Sequence, residues 1–347
     1  MRRFVITWLA VVTLTSISAF TQTSGQNYAV GNGPNFLAAG HLNGNGAGAD
    51  LIVSNFAGES LSLLRNKGDG TFGEAVTLPV GKAPTAVAVA DFTGLGKRDL
   101  AVALGGEDAV LILLNKGTGE FQSPLKISTI KTPGALAAAD FNGDGRDDLI
   151  IASLNAPNAT LLLSQGDDDF AAPQTLEFGY APLFVITADV NRDGQADFIT
   201  CPWQRTGPTQ LGVYLGNGDG TFAEAKRFHA GQNALQVAVG DFNQDGKLDL
   251  VTANNFNRGA HVLLGNGDGS FQTATNYAIG DCGAVITGDF NNDGYTDFAV
   301  TNSVEAKITI MLGNGTGTFP NKLDCPVARG PVMLAVADFD RDGWRDL

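Results

Sequence analysis

Five stretches of the sequence carry oxygen ligands at one spacing, Asp-x-Asn/Asp-x-Asp-Gly-x-x-Asp. Side-chain oxygens at positions 1, 3, 5 and 9, with a backbone carbonyl at 7, are what a short loop needs to wrap a hard cation. Gly at position 6 permits the sharp turn between ligands. The first complete set is Asp140, Asn142, Asp144, the Arg146 carbonyl and Asp148. It recurs as Asp189, Asn191, Asp193, Gln195 and Asp197, then as Asp241, Asn243, Asp245, Lys247 and Asp249. Asp289, Asn291, Asp293, Tyr295 and Asp297 follow, and the last set is Asp338, Asp340, Asp342, Trp344 and Asp346. All-oxygen donors favour Ca²⁺ over Zn²⁺, and clustered carboxylates favour Ca²⁺ over Mg²⁺. About five Ca²⁺ sites are therefore expected.

An EF-hand needs a bidentate Glu at position 12 and flanking helices, and no Glu stands there. Metal-free Asx turns would leave three or four carboxylates crowded within nine residues. Two weaker copies differ. His41-Leu-Asn-Gly-Asn-Gly takes an extra residue before Asp50, and Asp91-Phe-Thr-Gly-Leu-Gly replaces two ligands with Thr93 and Leu95. Both are expected to be turns without metal.

The loops belong to a repeat. Their first positions are His41, Asp91, Asp140, Asp189, Asp241, Asp289 and Asp338, spaced by about 50 residues. Each unit reads as four short strands. A small-apolar run such as 86–90 precedes the acidic loop, and a second such as 249–253 follows it. A third such as 261–264 leads into Gly265-Asn-Gly-Asp-Gly-Ser-Phe271, and a polar fourth strand closes the unit. Short apolar runs split by Gly/Asn/Asp clusters are strand-and-turn grammar. Four strands per unit of this length match propeller blades. The Gly-rich cluster is a hairpin turn and not a phosphate cradle, because no helix and no Gly-Lys-Ser/Thr follows it. The Phe after it, with the Phe inside the acidic motif, accounts for 11 of the 21 Phe residues, which marks these positions as core.

The expected fold is all-β: a seven-bladed propeller of four-stranded blades over residues 26–347, with six full repeats and an incomplete seventh. Gln26-Asn-Tyr-Ala-Val-Gly31 matches Thr275-Asn-Tyr-Ala-Ile-Gly280, so it should be an outermost strand completing blade seven. The seventh unit halts just after its last ligand, so its missing strands are expected beyond Leu347.

The Asp-Phe-Asn-x-Asp-Gly-x-x-Asp-Leu loops and the Leu-Leu-Gly-Asn-Gly-Asp-Gly-Thr-Phe-like hairpins resemble the FG-GAP/VCBS repeat family, whose calcium-binding blades also build the integrin α-subunit propeller. The resemblance covers residues 26–347. It implies fold and metal, but not activity, because the family includes adhesion modules, lectins and lyase-associated propellers.

Residues 1–25 read as a secretory signal: Arg2 and Arg3, an apolar run from Phe4 to Leu14, then small residues. No later run is long enough to span a bilayer. The protein is expected to be secreted, extracellular or periplasmic. Its net charge of −14 argues against a nucleic-acid partner. Sixteen of the 36 acidic residues stand at ligand positions of the five good loops, so the acidity is mainly a metal-binding inventory. Cys201 should be a buried thiol, while Cys282 and Cys325 lie in blade connections where a bridge is conceivable.

No catalytic constellation is evident. The three His residues occupy unrelated places, and neither Gly-x-Ser-x-Gly nor His-Glu-x-x-His occurs. Recognition is expected on the rim opposite the acidic loops. There Trp203 and Arg205, with Phe256 and Arg258 in a neighbouring loop, could stack on a sugar or anchor a protein. The function expected is a calcium-binding scaffold for protein or glycan ligands, and the alternative is a polysaccharide-binding lectin or polysaccharide-degrading enzyme.

Overall fold

The computed structural model describes residues 26–347 apart from 45, 47, 167–168, 203–207, 256–258 and 328–329. Before residue 26 it describes 11–14, 17–18 and 21–22. Six four-stranded antiparallel sheets follow one another along the chain, each a simple meander. Blade one is Pro34–Gly40, Asp50–Asn55, Ser60–Leu64 and Val76–Pro79. Blade three is Pro133–Ala139, Asp148–Ser153, Asn158–Leu162 and Gln174–Glu177, and blade six is Val285–Gly288, Asp297–Asn302, Lys307–Leu312 and Asn321–Pro326. Blades two, four and five have the same order.

Burial follows strand position. The first strands of neighbouring blades pack on one another around the axis. The second strand is buried along its whole length in all six blades, as at Asp148–Ser153. That is why these strands read as continuous apolar runs. The fourth strand is made largely of exposed and half-buried residues, alternating at Leu125–Ser128 and mostly exposed at Gln174–Glu177, consistent with an outer edge kept polar.

Phe residues link the blades. Phe92 meets Phe170 with ring centroids 5.8 Å apart, Phe141 meets Phe222 at 5.4 Å, and Phe242 meets Phe319 at 5.3 Å, all edge to face. In each pair the first Phe comes from an acidic loop and the second from the hairpin of the next blade.

The expectation of seven blades, the last one incomplete, is corrected to six. A blade is defined by strand-to-strand hydrogen bonds, and within 331–347 the one ladder contact is the bridge between Ala337 and Asp346. Gln26–Ala29 pairs with Val11–Leu14 and with no strand of the seventh unit. Both segments nevertheless close the ring onto blade one. The Tyr28 and Phe339 rings lie 5.6 Å and 5.5 Å from Phe72. Tyr277 sits on Phe319 of blade six in the same way, at 5.5 Å.

Candidate functional site

In the six blades the acidic loops join the first and second strands, so the meander places them on one face, and the seventh is closed by the Ala337–Asp346 bridge. The turn is tight because two residues adopt left-handed backbone. Position 6 is always Gly, with φ of 83° at Gly145 and 84° at Gly294. Position 4 is left-handed too, through Arg192 (φ 62°), Gln244 (55°), Asn292 (56°) and Arg341 (66°). Sequence reasoning did not single out position 4, since these residue types do not advertise that conformation.

Within the loop, backbone amides gather the carboxylates. In the third loop Asp140 Oδ1 accepts from Asp144 N at 3.2 Å, and Oδ2 accepts from Gly145 N at 2.8 Å. Asn142 donates to Asp144 Oδ2 at 3.0 Å, and Arg146 N donates to Asp144 Oδ1 at 2.9 Å. Loops four and six repeat this scheme, with Asp189 and Asp289 at position 1 and Asn191 and Asn291 donating to Asp193 and Asp293. In loop five Asp241 accepts from Asp245 N and Gly246 N in the same manner. The side chains at position 7 differ. Arg146 and Lys247 pair with Asp144 and Asp245 of their own loops, whereas Gln195, Tyr295 and Trp344 bring no charge.

The aspartate at position 9 has a second duty that sequence reasoning missed. Asp148 is fully buried; its Oδ2 accepts from Phe141 N at 3.0 Å and its Oδ1 from Ser164 N at 2.7 Å. Asp197, Asp249 and Asp297 hold the equivalent amides. This carboxylate clamps the acidic loop to the start of the following hairpin. Asp99 does the same for Phe92 N (3.1 Å) and Asn115 N (2.7 Å), although its loop has lost two of the ligand side chains. The signal was in the sequence: Asp50 and Asp99 stand at this position in both weak copies. In loop one Asp50 accepts from Asn66 N, while Arg65 Nη1 lies 3.0 Å from its Oδ2.

Five of the loops are also held by the next blade. Asn115 Nδ2 donates to Leu42 O (2.6 Å), Ser164 Oγ to Phe92 O (2.6 Å), and Gly220 N to Phe141 O (2.9 Å). Gly317 N donates to Phe242 O (2.9 Å), and Asn66 Nδ2 to Phe339 O (2.9 Å). Every acceptor is the position-2 carbonyl of the preceding loop.

Burial pushes the clamp carboxyls up, to about 7 for Asp148 and to about 6 for Asp99, Asp249, Asp297 and Asp346. The amides they accept from pull the other way. A carboxyl whose folded pKa exceeds its unfolded value of ~3.9 adds stability below that value, and this is lost as pH rises through 6–7. Chelator-treated protein is therefore expected to melt at a lower temperature at pH 8 than at pH 5.5, as differential scanning calorimetry in EDTA would show. Equal melting at the two pH values would contradict it.

Among the described residues one group of three acidic side chains has its oxygens within 4.8 Å of one another: Asp338, Asp340 and Asp346 in loop seven. The predicted ligand-binding residues Trp203, Arg205, Phe256 and Arg258 lie outside the described residues. On the rim they were assigned to, Phe56 and Val304 in the loops between second and third strands are 48% and 75% exposed. Cys201, Cys282 and Cys325 are buried free thiols, so no bridge joins the latter two. Among the described residues no helix is long and apolar enough to cross a membrane.

Six four-stranded blades in sequence, each with an acidic turn between its first two strands, define a β-propeller of repeated units. The FG-GAP-like repeat model matches residues 92–151, 140–200, 203–252, 241–300 and 289–347. The chain belongs to that family of FG-GAP-like repeat proteins. No curated protein matches it. Among solved structures it is similar to an Agrocybe aegerita lectin described as recognising non-reducing terminal N-acetylglucosamine. That likeness has 19% identity, 92% of this chain and 90% of the other covered, and a TM-score of 0.63. It is also similar to BBS1N from its complex with ARL6DN (11% identity, 91% and 87% covered, TM-score 0.56). A functionally unknown protein from Desulfotomaculum acetoxidans is similar as well (12% identity, 79% and 80% covered, TM-score 0.57). At these identities the likeness is one of fold.

Proposed function

We propose that this protein is a secreted propeller, stabilised by about five Ca²⁺ ions, that serves as a scaffold for binding glycans. The observation that carries the metal is the donor set itself. Five loops present oxygen at positions 1, 3, 5, 7 and 9 on a turn tightened by Gly, and Asp338 Oδ1 is buried with no hydrogen-bond partner. A hard cation fits that set, and a nitrogen- or sulfur-seeking metal does not. The residues holding it would be those at the five positions in loops three to seven. Bound Ca²⁺ would neutralise clustered carboxylates and fix each turn, a structural duty. Secretion is supported by the basic, apolar and small-residue order of residues 1–25.

A glycan is favoured over a protein ligand because a similar fold is that of a lectin for terminal N-acetylglucosamine. The ligand face of this reading is the rim opposite the metal loops, where Phe56 is exposed and to which the sequence assigns Trp203 and Phe256. Aromatic rings beside Arg and Asn are the side chains that stack on and hydrogen-bond sugars. On a glycan array the calcium-loaded protein is expected to retain a defined set of glycans, and Trp203→Ala should weaken retention at least ~10-fold. Folded, calcium-loaded protein that retains no glycan would refute the glycan assignment.

A further inference from the structure

Loop seven differs from the other four good loops in how its carboxylates are satisfied. In loops three to six the amide of position 5 donates to Oδ1 of the position-1 aspartate, as Asp144 N does to Asp140 and Asp293 N to Asp289. In loop seven that bond is missing. Asp342 N keeps only the bond to position 3 that the other loops also make, here to Asp340 Oδ1 at 3.1 Å, and Asp338 Oδ1 is left buried and unpartnered. Gly343 N still holds Asp338 Oδ2 at 3.0 Å. The second difference is chemical. Position 3 is Asn in the other four loops, and in loops three, four and six its amide donates to the position-5 carboxylate. Position 3 here is Asp340, which has no proton to give. Neither Arg341 nor Arg345 pairs with a carboxylate among the described residues, in contrast to Arg146 and Lys247. Three of the four ligand carboxylates, those of Asp338, Asp340 and Asp346, thus have oxygens within 4.8 Å of one another, and Asp338 Oδ1 among them has no donor.

This loop also occupies a singular place. Residues 331–347 have only the Ala337–Asp346 bridge of their own, whereas every other good loop lies inside a four-stranded blade. The segment is seated on both neighbours: Phe339 O accepts from Asn66 Nδ2 and the Phe339 ring packs on Phe72 of blade one, while Leu334, Val336 and Leu347 join the core cluster of Phe290 and Ile310 in blade six. The same loop backbone carries both contacts and ligands, since Phe339 lies between Asp338 and Asp340.

We propose that loop seven is the tightest of the five metal sites and that its ion is the clasp seating residues 331–347 on blade one. The inference rests on the Ca²⁺ reading above. Charge count among the ligands sets the affinity of such loops, and loop seven alone offers four carboxylates. The first equivalent of metal therefore orders the junction before the remaining loops fill.

Trp344, at position 7 of this loop, makes the test specific. Tb³⁺ is a hard, oxygen-seeking ion, and excited Trp344 will sensitise its emission when it sits in loop seven. In a titration of the full chain with Tb³⁺, Trp-sensitised emission should saturate at about one equivalent while calorimetry registers further binding. Asp340→Asn should weaken that first step roughly tenfold, and Asp293→Asn in loop six should leave it in place. Hydrogen–deuterium exchange of 331–347 should slow within the same first equivalent of Ca²⁺, a readout that needs no variant to fold. Sensitised emission that climbs only with the last equivalents would overturn the proposal while leaving the Ca²⁺ reading intact. So would exchange in 331–347 that is indifferent to the first equivalent. Absence of any bound metal by calorimetry would overturn both.

Discussion

Removing metal with EDTA is expected to lower the Tm of this protein by at least ~10 °C. A ligand at a hundred times its Kd stabilises the folded state by about 2.7 kcal/mol per independent site. Five such sites sum to roughly 13 kcal/mol, comparable to the whole stability of an ordinary domain. Even half that sum is a shift of ~10 °C or more for a chain of this size. The physical cause is local. Without a cation the loops hold three or four ligand carboxylates within nine residues, and among the described residues the ion pairs on them are Arg146 with Asp144 and Lys247 with Asp245. Those pairs are partly exposed and worth little. Differential scanning calorimetry in calcium and in EDTA at pH 7.5 measures the effect, and a Tm that moves by less than about 2 °C would sink the calcium assignment.

The second large effect should be independent of metal. Asp99→Ala is expected to destabilise the protein by about 2–6 kcal/mol, equally in calcium and in EDTA. The substitution leaves Phe92 N and Asn115 N without their acceptor, and an orphaned buried amide costs about 1–3 kcal/mol. Loop two has Thr93 and Leu95 where the good loops have ligands, so no lost ion contributes. Asp144→Ala is the complementary case. Asp144 lies at an exposed turn, and its loss should lower Tm in calcium and do little in EDTA. Urea melts of the two variants in both conditions separate clamp from ligand. If calcium protected wild type and Asp99→Ala to different extents, the clamp would not be independent of the metal sites.

Much of this was legible in the residues alone, because it is local. Ligand oxygens within nine residues, a Gly at the turn, and apolar runs of strand length require no partner elsewhere in the chain, so the acidic loops and four-stranded blades follow from spacing. The second strands read as unbroken apolar runs because they are buried on both faces. Recurrence pointed to the core Phe residues in large part: Phe92, Phe141 and Phe242 are fully buried, whereas Phe121, Phe170 and Phe222 are half-buried against the core clusters.

What the tertiary structure decided depends on distant partners. The clamp role of Asp148 requires Ser164 N, sixteen residues on, to lie against it. The seat of loop seven joins Asn66 to Phe339, 273 residues apart. The blade count fell from seven to six because a repeat in sequence becomes a blade only when its strands find partners, and 331–347 find one bridge. Loop seven reads like the rest as a ligand pattern, and richer by one carboxylate. Only the fold shows that Asp338 Oδ1 has no donor there, since hydrogen-bond satisfaction is a property of three-dimensional neighbours and not of spacing.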